Sequence, residues 1–170
     1  MATATKEHSE KIVYKSKIDL SEDIRSKIVG ILNQQLADNA NLYSQTKQAH
    51  WNVKGMDFFQ LHLLFDQVAE MIEGYTDTIA ERTTALGGIA LGTNTMSAEN
   101  TTLPEYPADI AKGKEHLQEV IKRWAAYAAS TREAIERSSE LGDPTTEDMF
   151  TEISRHVDKG LYFLESHVEI

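Results

Sequence analysis

The chain has 170 residues, a formal net charge of −10 and 41% hydrophobic residues, a length and composition that suit one globular domain with a proper core. It has no cysteine, which excludes disulfide scaffolds, thiolate zinc sites and thiol nucleophiles. The acidic balance counts against general nucleic-acid binding and favours cations, and no apolar run approaches membrane-spanning length, so a cytoplasmic protein with no membrane attachment is expected.

Residues 1–20 read as a flexible tail, and residues 21–170 as a single helical domain. The first helix is predicted from about Ser21 to Val53, with Ser21 as N-cap and Gly55 as a C-terminal stop. Ile24, Ile28, Ile31, Leu32, Leu36, Leu42 and Ala49 recur at helical spacing and mark its inward face. The second opens at Met56–Leu61, where Asp57 and Gln60 resemble a capping box and Met56 and Leu61 a hydrophobic staple. It runs to Leu86 and stops at Gly87-Gly88. A connection from Gly88 to about Pro107 follows, long enough to travel the length of a bundle and to carry a short helix near Ser97. The third helix is predicted over about Ala108–Leu141, with Ile110, Leu117, Val120, Ile121, Trp124, Ala128 and Ile135 inward. Asp143-Pro144 suits the start of a fourth, because Asp caps well and Pro fits the first helical position. Met149, Phe150, Ile153, Val157, Leu161 and Leu164 form its buried stripe. The order is helix, tight turn, helix, long crossover, helix, tight turn, helix: an all-α four-helix bundle with ferritin-like connectivity.

The second helix carries the chemistry. At about 100° per residue, His62, Asp66, Glu70, Glu73, Asp77 and Glu81 share roughly a 100° arc, opposite Phe65, Val68, Met71, Ile72, Tyr75, Ile79 and Leu86. A solvated acidic face is the ordinary explanation of such a stripe. Against it, the stripe has no Lys or Arg to relieve repulsion, it begins with a histidine, and His50 ends the preceding helix just across the turn. Asp66 and Asp77 are eleven residues apart, or roughly 16 Å along the axis, too far to share one ion within a chain. Two copies crossing antiparallel near positions 71–72, where the small Gly74 lies close by, bring the halves together. The expectation is an intersubunit site built from His50, His62 and Asp66 of one chain and Asp77 and Glu81 of the other. An all-nitrogen-and-oxygen donor set suits iron, manganese or zinc rather than copper(I), with positions left for water or an oxidant.

The segments "HWNVKG", "HLLFD", "DTIAERTTALGG" and "DKGLYFLE" together resemble the Dps family of mini-ferritins, from about residue 20 onward. The resemblance implies a hollow dodecamer that oxidises Fe(II), preferably with hydrogen peroxide though also with dioxygen, and stores ferric mineral. It implies a ferroxidase centre at the two-fold interface whose ligands match His50, His62, Asp66, Asp77 and Glu81, with Trp51 beside it. Zinc or manganese could substitute for iron there. It further implies an acidic iron-entry pore near Asp143, Asp148 and Glu152, although acids favoured by a helix N-terminus explain these residues equally well. Glu70 and Glu73 are candidates for mineral nucleation, or for plain solvation. His8 lies in the tail, and His116, His156 and His167 are expected at surfaces or interfaces. Some relatives bind DNA through a basic tail; here Lys6, Lys11, Lys15 and Lys17 stand against Glu7, Glu10 and Asp19, on a chain whose overall charge opposes phosphate.

Overall fold

The computed structural model describes residues 10–168. Five helices appear among the described residues: α1 (Glu22–Asn52), α2 (Phe58–Ala85), a short α3 (Asn94–Asn100), α4 (Gly113–Glu140) and α5 (Pro144–Glu165). Two helical hairpins, α1–α2 and α4–α5, pack against each other through α1 on α4 and α2 on α5. The crossover that joins them carries α3, which lies on α1. This is the all-α bundle with one long connection that the loop lengths required.

The local signals explain most of the boundaries. The Ser21 hydroxyl accepts from the Ile24 amide, and the Asp143 carboxylate accepts from the Thr146 amide with Pro144 at the first turn. Gly87 and Gly142 close the helices before them at φ of +90° and +75°, a backbone region costly for residues with a Cβ. Leu32, Leu36, Phe65, Ile72, Trp124, Phe150 and Val157 fill the centre. Gly160 lets α5 touch α4, because a Cβ there would collide with the Trp124 ring.

Buried polar side chains hold the crossover. Asp38 of α1 accepts from the Thr102 amide (2.6 Å) and from the hydroxyls of Thr101 and Thr102 (2.9 Å each). Arg123 donates to the Glu105 carbonyl (2.5 Å), and Gln45 to that of Pro104 (3.1 Å).

Four expectations need correction. Residues 10–20 are a strap fastened to the bundle, not a loose tail. The Val13 and Tyr14 amides both donate to the Gly87 carbonyl, Ser16 donates to that of Ala85, and Ser26 donates to that of Glu10. Ile12, Ile18 and Leu20 pack on the core beneath it. Lys6 and His8 lie outside the described residues. Second, α4 begins at Gly113 and not near Ala108, because the Lys54 amide takes the Ala111 carbonyl and holds that segment extended. Third, Asp57 precedes α2 without a side-chain cap bond, and Met56 is 97% exposed, so neither capping box nor staple forms. Fourth, His116 is buried rather than superficial. Its Nδ1 lies 2.7 Å from the Tyr106 hydroxyl, and burial pushes its pKa down.

Candidate metal centre

The α1–α2 turn folds the end of one helix onto the start of the next, and His50 and His62 meet across it. Their rings stack with centroids 3.8 Å apart at 19°. Phe58, one turn before His62, stacks on its other side at 5.0 Å. The two histidines also exchange hydrogen bonds: His50 Nδ1 donates to the His62 carbonyl (2.7 Å), and His62 Nδ1 donates to the His50 carbonyl (2.9 Å). A carbonyl can only accept, so this pairing assigns the proton of each neutral ring to Nδ1 and leaves Nε2 with a free lone pair. A backbone carbonyl that fixes ring and tautomer in this way is the usual support of a metal-binding histidine.

Asp66 lies one turn beyond His62, and its Oδ1 is 3.8 Å from His50 Nδ1. It is ion-paired to Lys47 of α1. The hydrogen bond from Lys47 holds the Asp66 carboxyl below its ordinary value, against partial burial that acts the other way, with further help from His50. Lys47 and Phe58 were not anticipated from the sequence. The signals existed: Lys47 is three residues before His50, and Phe58 is four before His62, both helical-neighbour spacings.

Asp77 and Glu81 occupy the far end of α2 and are exposed. Among the described residues, one chain gathers no group of three or more histidine, aspartate or glutamate side chains able to hold a metal. Within one chain His50 and His62 stack and Asp66 lies near His50, short of a complete metal-holding group, and Asp77 and Glu81 stand at the other end of α2. Around the first group the surface is apolar: Trp51 is 60% exposed, Phe59 65% and Leu63 49%. Trp51 also borders a shallow groove with Tyr43, Lys47, Glu73 and Thr76. Gly74 is exposed, and nothing lies within 4 Å of where its Cβ would be, so another backbone could approach closely there.

The remaining candidates separate. Asp143 is almost wholly buried, receives two hydrogen bonds from Arg82 (2.8 and 2.9 Å) and caps α5, so its carboxylate is not free to line an entry path. Asp148 and Glu152 are exposed, as are Glu70 and Glu73. Lys11, Lys15 and Lys17 are exposed on the strap, and His156 and His167 on α5 and just beyond it. No helix among the described residues is long and apolar enough to cross a membrane.

Known proteins share this fold. Residues 29–170 match the ferritin-like domain family. A DNA protection during starvation protein of Agrobacterium fabrum is 46% identical over 156 residues, covering 92% of this chain and 96% of that one. Among solved structures, DpsC from Streptomyces coelicolor superposes with a TM-score of 0.87 at 32% identity, covering 93% of both chains. Dps of Mycobacterium smegmatis gives 0.88 at 26% identity, covering 93% of this chain and 95% of that one. Five helices in this order, with a histidine pair locked across the first turn, and relatives of this closeness lead to one conclusion: the chain belongs to the Dps family of ferritin-like proteins.

Proposed function

We propose that this protein is a mini-ferritin that oxidises Fe(II), preferentially with hydrogen peroxide, at di-metal centres shared between two chains, and stores the ferric product in a hollow dodecamer. The observation that carries this reading is the reciprocal His50–His62 pairing, which leaves an Nε2 lone pair free on each ring, with Asp66 Oδ1 3.8 Å from His50 Nδ1. In this reading the partner contributes Asp77 and Glu81, and Trp51 stands beside the centre.

Iron is the substrate. Carboxylate oxygens stabilise the harder Fe(III) over Fe(II), so the donor set favours oxidation. Two Fe(II) supply one electron each. Hydrogen peroxide takes both electrons with two protons and leaves as two waters, so no hydroxyl radical is released. Asp148 and Glu152 remain candidates for an iron-entry path whose acidic field would concentrate cations; Glu70 and Glu73 remain candidates for holding early mineral.

Anaerobic Fe(II) loading followed by a peroxide pulse tests the proposal. Wild type should oxidise iron well above the rate of iron in buffer, and Asp66→Asn combined with Glu81→Gln should return it to that rate. Equal rates in both proteins would remove the reading. A second reading, DNA compaction, draws on the exposed Lys11, Lys15 and Lys17, with Lys6 beyond the described residues. The net charge of −10 per chain opposes it. A gel-shift titration across salt decides between the two, since binding through lysines falls steeply as salt rises.

A further inference from the structure

The outer face of His62 is covered by residues of the turn itself. Phe58 stands at the first position of α2 and stacks on that face, with centroids 5.0 Å apart and planes at 30°. The Lys54 ammonium lies over the Phe58 ring, 5.8 Å from its centroid, within cation–π reach. Both residues are tied through their backbones: the Lys54 amide donates to the Ala111 carbonyl (2.9 Å) and the Phe58 amide to that of Gly55 (3.1 Å). Phe58 is 38% exposed, so burial in the core does not account for its place on the imidazole.

A neutral imidazole offers Nε2 to a metal only while its other nitrogen keeps the proton and the carbonyl partner. Turning the His62 ring about Cβ–Cγ would exchange the two nitrogens and break the bond from Nδ1 to the His50 carbonyl. With His50 stacked on one face and Phe58 on the other, the ring has no open side through which to turn. We propose that Phe58 is a positioning residue for metal capture, which closes the outer face of His62 and holds Nε2 ready before a metal arrives. Phe58 touches neither metal nor oxidant and acts through His62, while Lys54 steadies Phe58 from the turn. Order present before binding lowers the entropic cost of capture. It serves the loaded and the reacting centre alike, so it lowers the Fe(II) concentration required and leaves turnover unchanged.

Phe58 has this role only with His62 as a ligand, as proposed above, and the experiment lets the two fail separately. Co(II) is titrated calorimetrically into the assembled, metal-free protein, and peroxide-driven iron oxidation is measured on the same samples. Phe58→Ala should weaken Co(II) binding by about tenfold. It should raise KM for Fe(II) by about tenfold and keep kcat within about twofold, a split that general loss of structure does not produce. Phe58→Tyr keeps the flat ring and should restore both values to within about twofold. Should Phe58→Ala not assemble, Phe58→Leu takes its place, with Co(II) binding about threefold weaker than in Phe58→Tyr. Unchanged Co(II) affinity, a fall in kcat with KM unmoved, or a Phe58→Tyr protein no better than its Ala or Leu counterpart would overturn the role of Phe58. Co(II) binding that weakens in Phe58→Ala, in a protein whose wild type oxidises iron no faster than buffer, would sink the ferroxidase reading and leave that role standing.

Discussion

The two ends of α2 are built differently. At the N-terminal end, His62 is sandwiched between His50 and Phe58, bonded to the backbone of α1, and followed by an Asp66 held by Lys47. At the C-terminal end, Asp77 and Glu81 stand exposed, and among the described residues neither carboxylate has a hydrogen-bonding or ionic partner. If both ends serve the proposed centre, the chain fixes in advance the groups whose orientation matters most, the imidazoles, since only one nitrogen of each ring can face a metal, and leaves to association the carboxylates, which can bind through either oxygen. What holds the C-terminal end in place is the neighbour of Glu81: Arg82 reaches across to Asp143 and Thr146 at the start of α5.

The largest test of this asymmetry is complementation. A chain with His62→Ala and a chain with Asp77→Asn/Glu81→Gln should each be inactive alone. Unfolded together and reassembled at random, they should recover about a quarter of wild-type peroxide-driven iron oxidation, because about half of the pairs are mixed and each mixed pair contains one whole centre. Zero recovery in properly assembled mixtures would show that the two ends do not serve one centre.

A smaller effect concerns the clasp behind Glu81. Asp143→Ala strands Arg82 at a largely buried position and should cost about 3 kcal/mol in chemical denaturation, while the His50–His62 end stays intact. The pH dependence follows. Burial pushes the Asp143 carboxyl up, but hydrogen bonds from Thr146 and Arg82 outweigh it and hold the group below 3.8. A depressed folded pKa lends stability that is present above the unfolded value and lost as pH falls through the folded one. Wild type should therefore lose stability as the pH drops below about 4, with a steeper acid slope than Asp143→Asn.

The smallest effect is at Lys47. Its pair with Asp66 is partly exposed, so Lys47→Met should change stability by less than about 1 kcal/mol. Removing the ammonium should nevertheless raise affinity for Co(II) by several-fold in calorimetric titration, because the metal no longer competes for the Asp66 oxygen. Weaker binding would mean that Lys47 assists the centre.

The sequence made the architecture legible where local chemistry sets it. Ser21, Asp143-Pro144 and Gly87 mark ends that depend only on the backbone and its nearest side chains. It misled where a distant segment intervenes. Asp57 looks like a cap, yet its carboxylate makes no cap bond. Ala108–Lys112 looks helical, yet the turn after α1 takes a carbonyl from it. The strap resembles a tail in the sequence because its lysines are conspicuous and its contacts, to Gly87 and Ala85, lie some seventy residues away. Its one local hint was the apolar set Ile12, Val13, Ile18 and Leu20. At the candidate metal centre the arc of residues on α2 is readable from periodicity, but the tautomer lock is not, since it depends on two carbonyls brought together by the turn.

Asp38 also bears on the order in which the molecule forms. Each hairpin closes over a short turn, so α1–α2 and α4–α5 can assemble from contacts near in sequence, which form quickly. The bonds from Asp38 to Thr101 and Thr102 span more than sixty residues and mature only when the crossover settles along α1. Closing that loop carries most of the entropic delay. Refolding should show a fast phase that gives helices and the stacked histidines, then a slower one in which the hairpins dock. Asp38→Asn should lengthen the second phase and spare the first, so that the stacked imidazole pair exists before the bundle does.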